Sequence, residues 1–127
     1  MPDYDGEQFD PPAPLAKVLV RTPDHTASIP DVAMLIDSGA DVSLIPASCA
    51  DRLGLRSDVE ETFVLRGFDG STSLGMAVNA EILFLGRVFR GRFLIIDETC
   101  GVLGRNVLNH GALLLDGPRL QWRFEAR

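Results

Sequence analysis

Val32 to Pro46, V-A-M-L-I-D-S-G-A-D-V-S-L-I-P, is the stretch on which the reading of this chain turns. An apolar run, Val32 to Ile36, breaks into Asp37-Ser38-Gly39-Ala40, and apolar character resumes at Val42, Leu44 and Ile45. The run reads as a strand buried on both faces, and Asp-Ser-Gly directly after it reads as a tight turn. A carboxylate therefore stands at the end of a core strand, where desolvating an isolated charge is costly. The tripeptide alone is explained by an Asx-turn, with Gly39 supplying a positive φ. The flanking apolar residues go beyond that explanation, and so does a second signal about sixty residues on, Val102-Leu103-Gly104-Arg105-Asn106.

Working outward, 127 residues suit one domain. Hydrophobic residues make up 46% and charged residues 24%, and no apolar run approaches the roughly 18 residues of a membrane span. The acidic opening, Met1-Pro2-Asp3-Tyr4-Asp5-Gly6-Glu7, does not read as a signal peptide, so the expected location is cytoplasmic, with no membrane partner. A net charge of -6 argues against nucleic acid as a partner, because phosphates would be repelled. Cys49 and Cys100 stand in no metal-ligand spacing with His25 or His110. Free thiols, no metal and no cofactor are the expectation.

Met1 to Pro14, with Pro2, Pro11, Pro12 and Pro14 among four acidic residues, is too poor in apolar surface to offset its ordering entropy and reads as a flexible arm, with Tyr4 and Phe9 as the residues able to dock on the body or on a partner. Residues 15–127 form the domain. Leu15 to Arg21 reads as a strand, and Thr22-Pro23-Asp24-His25 as a solvated turn. Pro46 suits a first helical position, Ala47 to Leu53 a short helix that includes Cys49, and Gly54 its end. Glu60 to Phe68 and Leu74 to Leu85 read as strands around an Asp69-Gly70 hairpin signal, followed by a strand from Val88 to Ile96. Asn106 to Asn109 is a short helical candidate. Ala112 to Leu115, Asp116-Gly117-Pro118 and Leu120 to Phe124 make a final hairpin. Short strands with frequent turns and hardly any helix give an all-β, barrel-like domain.

Leu35-Ile36-Asp37-Ser38-Gly39-Ala40-Asp41 followed downstream by Val102-Leu103-Gly104-Arg105-Asn106 resembles the retropepsin-like aspartic proteases, the single-lobed family of the retroviral proteases and their Ddi-type cellular and bacterial relatives. The resemblance spans roughly Leu15 to Phe124, and the two motifs come in the right order at the right separation. It implies a closed barrel with one lobe per chain, a short helix after Gly104-Arg105-Asn106, and an aspartic endopeptidase acting on peptide or protein substrate. It also implies that Asp37 is the catalytic carboxylate, that Ser38 hydrogen-bonds across a dimer beneath it, and that Gly39 presents its carbonyl to substrate backbone. Asp41 matches a position that contacts substrate and pairs with Arg105. Leu35, Ala40, Val42, Leu44, Cys100 and Val102 match substrate-binding positions. The hairpin carrying Gly67, Phe68, Asp69 and Gly70 corresponds to the flap that folds over bound peptide, although its tip lacks the very Gly-rich, apolar sequence of the retroviral flaps.

Peptide hydrolysis by two carboxylates needs one ionised group to take a proton from water and one protonated group to donate to the scissile carbonyl. At about 3 Å and an effective dielectric near 20, two ionised carboxylates repel by about 5 kcal/mol, so such a pair holds one proton between them. Asp5-Gly6, Asp69-Gly70 and Asp116-Gly117 lack the apolar strand and spacing of the Asp37 motif. The second carboxylate must then come from a second subunit, in a homodimer whose two-fold axis runs between the Asp37 side chains. The alternative is a catalytically weak or inactive domain that keeps the fold for dimerisation or peptide binding. Intact Asp37-Ser38-Gly39 speaks for the enzyme and the flap tip for the alternative, while scattered histidines leave metal-assisted hydrolysis poorly supported.

Overall fold

Alternation of apolar and polar residues builds the first strand pair. In the computed structural model, which describes residues 1–55, 57–66 and 72–127, strand β1 is the short Tyr4–Asp5. Strand β2 (Ala13–Arg21) buries Ala16, Val18 and Val20 while Lys17 faces out, the period-two pattern of a half-buried strand. Strand β3 (Ser28–Ile36) returns antiparallel to it, with Leu15 opposite Leu35 and Val18 opposite Val32. Only one face of β3 is fully covered: Val32, Met34 and Ile36 are buried, whereas Ala33 and Leu35 are half-buried. The expectation of a strand closed on both faces is corrected accordingly, because Ala33 and Leu35 border surface clefts.

After the Asp37 turn come β4 (Leu44–Pro46) and α1 (Ala47–Leu53). Pro46 caps the helix with extended backbone instead of opening it. Gly54, in the left-handed conformation at φ 65°, ends it as expected. The remaining elements are β5 (Ser57–Arg66), β6 (Thr72–Phe84), β7 (Arg87–Ile96), β8 (Gly101–Leu103), α2 (Arg105–Leu108), β9 (Gly111–Asp116) and β10 (Gln121–Ala126).

The strand order β2-β3-β8-β4-β7-β6 closes on itself through a β2–β6 pairing in which Leu19 faces Leu83, giving a six-strand barrel. This is the expected all-β, retropepsin-like fold. Met34, Ile45, Ile82, Phe84 and Leu103 lie at its centre. From β10, Trp122 and Phe124 pack on Phe84 with ring centroids 6.1 and 5.2 Å away, so the final hairpin belongs partly to the core. Among the described residues no helix is long and apolar enough to cross a membrane. Both cysteines are free, and no group of residues able to hold a metal ion occurs among those described.

One expectation is corrected by backbone pairing, and another gains a charge partner. Met1 to Pro14 is docked on the domain: Tyr4 N–H donates to the Leu120 carbonyl at 2.8 Å, Trp122 N–H donates to that of Pro2 at 3.0 Å, and Tyr4 and Asp5 pair with Pro14 and Ala13. Composition weighed its small apolar surface but not the open backbone edge of β10, which the arm satisfies. His25 is exposed, as expected of its turn, and is also paired. Its Nε2 lies 2.8 Å from the Glu81 carboxylate, which is buried on β6 and also meets Arg21 Nε at 2.8 Å and Arg90. Burial pushes the Glu81 carboxyl up, but Arg21, Arg90 and His25 together outweigh it and hold it below the usual range.

Candidate active site

The end of β3 delivers Asp37 to its position. Asp37 N–H donates to the Leu103 carbonyl at 3.0 Å, extending the parallel pairing in which β8 sets Val102 beside Leu35 and Leu103 beside Ile36. The carboxylate then folds back on the turn: Oδ1 accepts the Gly39 N–H at 2.9 Å, and Ala40 N–H reaches the Asp37 carbonyl at 3.2 Å. This is the Asx-turn expected from the tripeptide, but Gly39 is not among the glycines with positive φ, so that part of the expectation is corrected. Among the described residues Oδ2 has no hydrogen-bond partner in the chain, and Asp37 is half-buried beside exposed Ser38 and Gly39. The turn thus fixes the carboxylate's direction and leaves one oxygen for a group outside its own chain.

The second motif braces the loop from behind. Arg105 N–H donates to the Ala40 carbonyl at 2.8 Å, and Arg105 Nη1 donates to the Ser38 carbonyl at 2.7 Å. Ser43, wholly buried, accepts the Gly104 N–H on its Oγ at 2.9 Å and donates to Asn106 Oδ1 at 2.7 Å. Gly104 itself leaves no room for a side chain, since a Cβ would collide with the Val42 carbonyl and lie 2.9 Å from the Ala40 oxygen. Gly104-Arg105-Asn106 is therefore a clamp on residues 38–43, assembled from backbone contact, a guanidinium and an amide.

The clamp corrects one sequence expectation. Arg105 does not pair with Asp41 in this chain; its guanidinium is turned to the Ser38 carbonyl, and Asp41 is exposed. A carbonyl held fixed at the turn offers Arg105 a short charge-assisted bond without ordering a second long side chain. Ser43 and Asn106 were missed as a pair. The signal was available: a serine inside Val42-Ser43-Leu44-Ile45 faces burial and needs a partner.

The other expected site residues separate into groups. Leu35, Cys100 and Val102 line one cavity of about 480 Å³, together with Ile96, Glu98, Thr99 and Gly101 and, from the arm, Gln8 and Phe9. Burial pushes the Cys100 thiol up, and the charge of Asp5 adds to the effect. Leu44 is buried in a small cluster with Ala77 and Leu94, against which half-buried Val42 and Val102 pack. It therefore acts as core beneath the site and does not line the cavity. Ala40, Asp41 and Val42 lie on the loop, outside that cavity. Phe68, Asp69 and Gly70 lie outside the described residues.

Comparison with known proteins bears on this arrangement. The family model described as "gag-polyprotein putative aspartyl protease" matches residues 28–110, a span holding both the Asp37 turn and its Gly104-Arg105-Asn106 clamp. Among solved structures the chain is similar to EIAV protease complexed with the inhibitor HBY-793, at 26% identity and a TM-score of 0.57, over 76% of this chain and 86% of that one. Its fold is also similar to that of the retroviral protease-like domain of Ddi1 from Leishmania major, at 16% identity and a TM-score of 0.50, over 87% and 88% of the two chains. A retropepsin-like aspartic protease from Rickettsia conorii matches at 15% identity and a TM-score of 0.50, over 91% of each chain. No curated protein matches the chain.

Proposed function

Because this chain belongs to the retropepsin-like family of gag-polyprotein aspartyl proteases, we propose that it is an aspartic endopeptidase whose active form is a homodimer, with the two Asp37 carboxylates facing across a two-fold axis. The observation that carries this reading is the Asp37 turn: one carboxylate oxygen is held by the Gly39 N–H and the other is left without a partner among the described residues. A single carboxylate cannot serve as base and acid at once. Two of them, brought to hydrogen-bonding distance, share one proton, as is established for aspartic-protease dyads. The ionised member takes a proton from water as that water attacks the scissile carbonyl, and the protonated member donates to the carbonyl oxygen. The tetrahedral intermediate then collapses as the leaving amine takes up a proton.

Supporting the dimer is the final hairpin, a two-stranded sheet apart from the barrel. The hairpin leaves Leu114, Leu115 and Leu120 between 43% and 48% exposed. Among the described residues β9 pairs only with β10, so its other edge offers unpaired backbone groups to a second chain. The substrate is a peptide in extended form, with apolar side chains directed to the region of Leu35 and Val102.

Digestion of an unstructured protein, followed by mass spectrometry, tests the reading. Cleavage that is blocked by a statine-type transition-state mimic and abolished by Asp37→Asn, with circular dichroism unchanged, is the expected result. Binding of the mimic without any cleavage would instead favour a peptide-binding module, and undiminished turnover by Asp37→Asn would refute the assignment.

A further inference from the structure

The N-terminal arm does more than cover the edge of β10. Tyr4 and Asp5 pair with Pro14 and Ala13, so residues 6–12 form the loop that joins the two paired segments, and the start of that loop is shaped by the Asp5 carboxylate. Asp5 Oδ1 accepts the N–H groups of Glu7 at 2.7 Å and Gln8 at 3.2 Å. Phe9 follows immediately. It is half-buried, and with Gln8 it lines the cavity of about 480 Å³ that Leu35, Cys100 and Val102 also line. That volume falls in the range of sites that take a small ligand or a large side chain, roughly 300–1,000 Å³. The barrel therefore supplies most of the cavity lining, and the arm adds an aromatic side chain to it.

We propose that Phe9 is a specificity-determining residue, and that the loop carrying it is a built-in wall of the subsite that receives an apolar side chain of the peptide. The inference rests on the protease reading for the identity of the ligand. Its geometry follows from the arm alone. Apolar surfaces from two separate segments enclose the entering group, so a side chain that spans the gap is desolvated on both faces. Glu98 and Gln8 at the rim keep the entrance polar. A side chain of leucine size touches both walls, and a much larger one meets the Phe9 ring. Removing that ring opens the subsite and weakens the preference for the smaller group. One missing apolar contact in such a pocket changes discrimination by roughly tenfold.

The test uses the full chain and two statine-type peptide mimics that differ only in the side chain offered to the cavity, leucine in one and tryptophan in the other. Affinities are measured by calorimetry for the parent chain, Phe9→Ala and Phe9→Leu, so that binding is read independently of turnover. Phe9→Ala is expected to shift the leucine-to-tryptophan affinity ratio by about tenfold in favour of tryptophan. Phe9→Leu, which keeps an apolar wall and guards against loss of the loop's structure, should give an intermediate shift. A ratio unchanged in both variants, or failure of both mimics to bind the parent chain, overturns the proposal. The outcomes also separate the two readings. A shifted ratio without hydrolysis of any peptide sinks the endopeptidase and leaves the subsite standing, whereas hydrolysis with an unmoved ratio does the reverse.

Discussion

Replacing Ser43 by alanine removes a single oxygen from a wholly buried position, and the structure says what that oxygen holds. Its Oγ accepts the buried Gly104 N–H at 2.9 Å and donates to Asn106 Oδ1 at 2.7 Å. In the alanine variant Asn106, which is exposed, can turn its amide to water, so its share of the loss is small. The Gly104 N–H has no such escape, and stranding a buried donor costs about 1–3 kcal/mol. Taking about 2 kcal/mol, and an unfolding entropy near 2.1 cal/mol/K per residue over 127 residues, the melting temperature should fall by about 7 °C. Thermal melts followed by circular dichroism, at one fixed protein concentration because association also raises Tm, read this directly. Asn106→Ala in the same background should add less than it does in the parent chain, because the two changes break one shared bond. Since Ser43 ties residues 38–43 to the clamp, turnover should also drop well below the melting range. A Ser43→Ala variant that melts within about 1 °C of the parent would refute the claim that this hydroxyl satisfies a buried donor.

Three further outcomes follow from the same structure. Gly104→Ala drives a Cβ into the Val42 carbonyl, where backbone must move, and should destabilise by about 3 kcal/mol in urea titration. Deleting the C-terminal strand is a poor test of the dimer because Trp122 and Phe124 are core; instead, Leu114→Glu with Leu115→Glu should leave far-UV dichroism intact while sedimentation shows monomer and cleavage is lost. The carboxyl of Asp24 is lowered to about 2 by hydrogen bonds from the Thr22 and Thr26 side chains and the Thr26 N–H. A depressed acid stabilises above its unfolded value, 3.8, and loses that contribution as pH falls through about 2. Exchange of the Thr26 amide should accordingly rise, relative to Asp24→Asn, between those two values.

Local pattern was sufficient for much of the barrel. The period-two run of β2, the helix Ala47–Leu53 stopped by Gly54, and the Asx-turn at Asp37 each depend on neighbours a few residues apart, so the sequence states them openly. The family motifs Asp37-Ser38-Gly39 and Gly104-Arg105-Asn106 were legible for the same reason, each being a contiguous string. How they meet was not. β8 is three residues long and pairs parallel with β3 across more than sixty positions, a contact that no local periodicity encodes. The motif pointed Arg105 to the Asp41 carboxylate, and only the folded position of the Ser38 carbonyl shows where the guanidinium goes instead. Closure of the barrel brings Arg21, His25 and Arg90 around Glu81, a cluster drawn from three separate stretches of the chain. The arm shows the same division. Its composition set how little apolar surface it has, but whether it docks depended on an open strand edge and a cavity that exist only once residues far along the chain, Val102 and Leu120 among them, are folded, because both are properties of the assembled backbone.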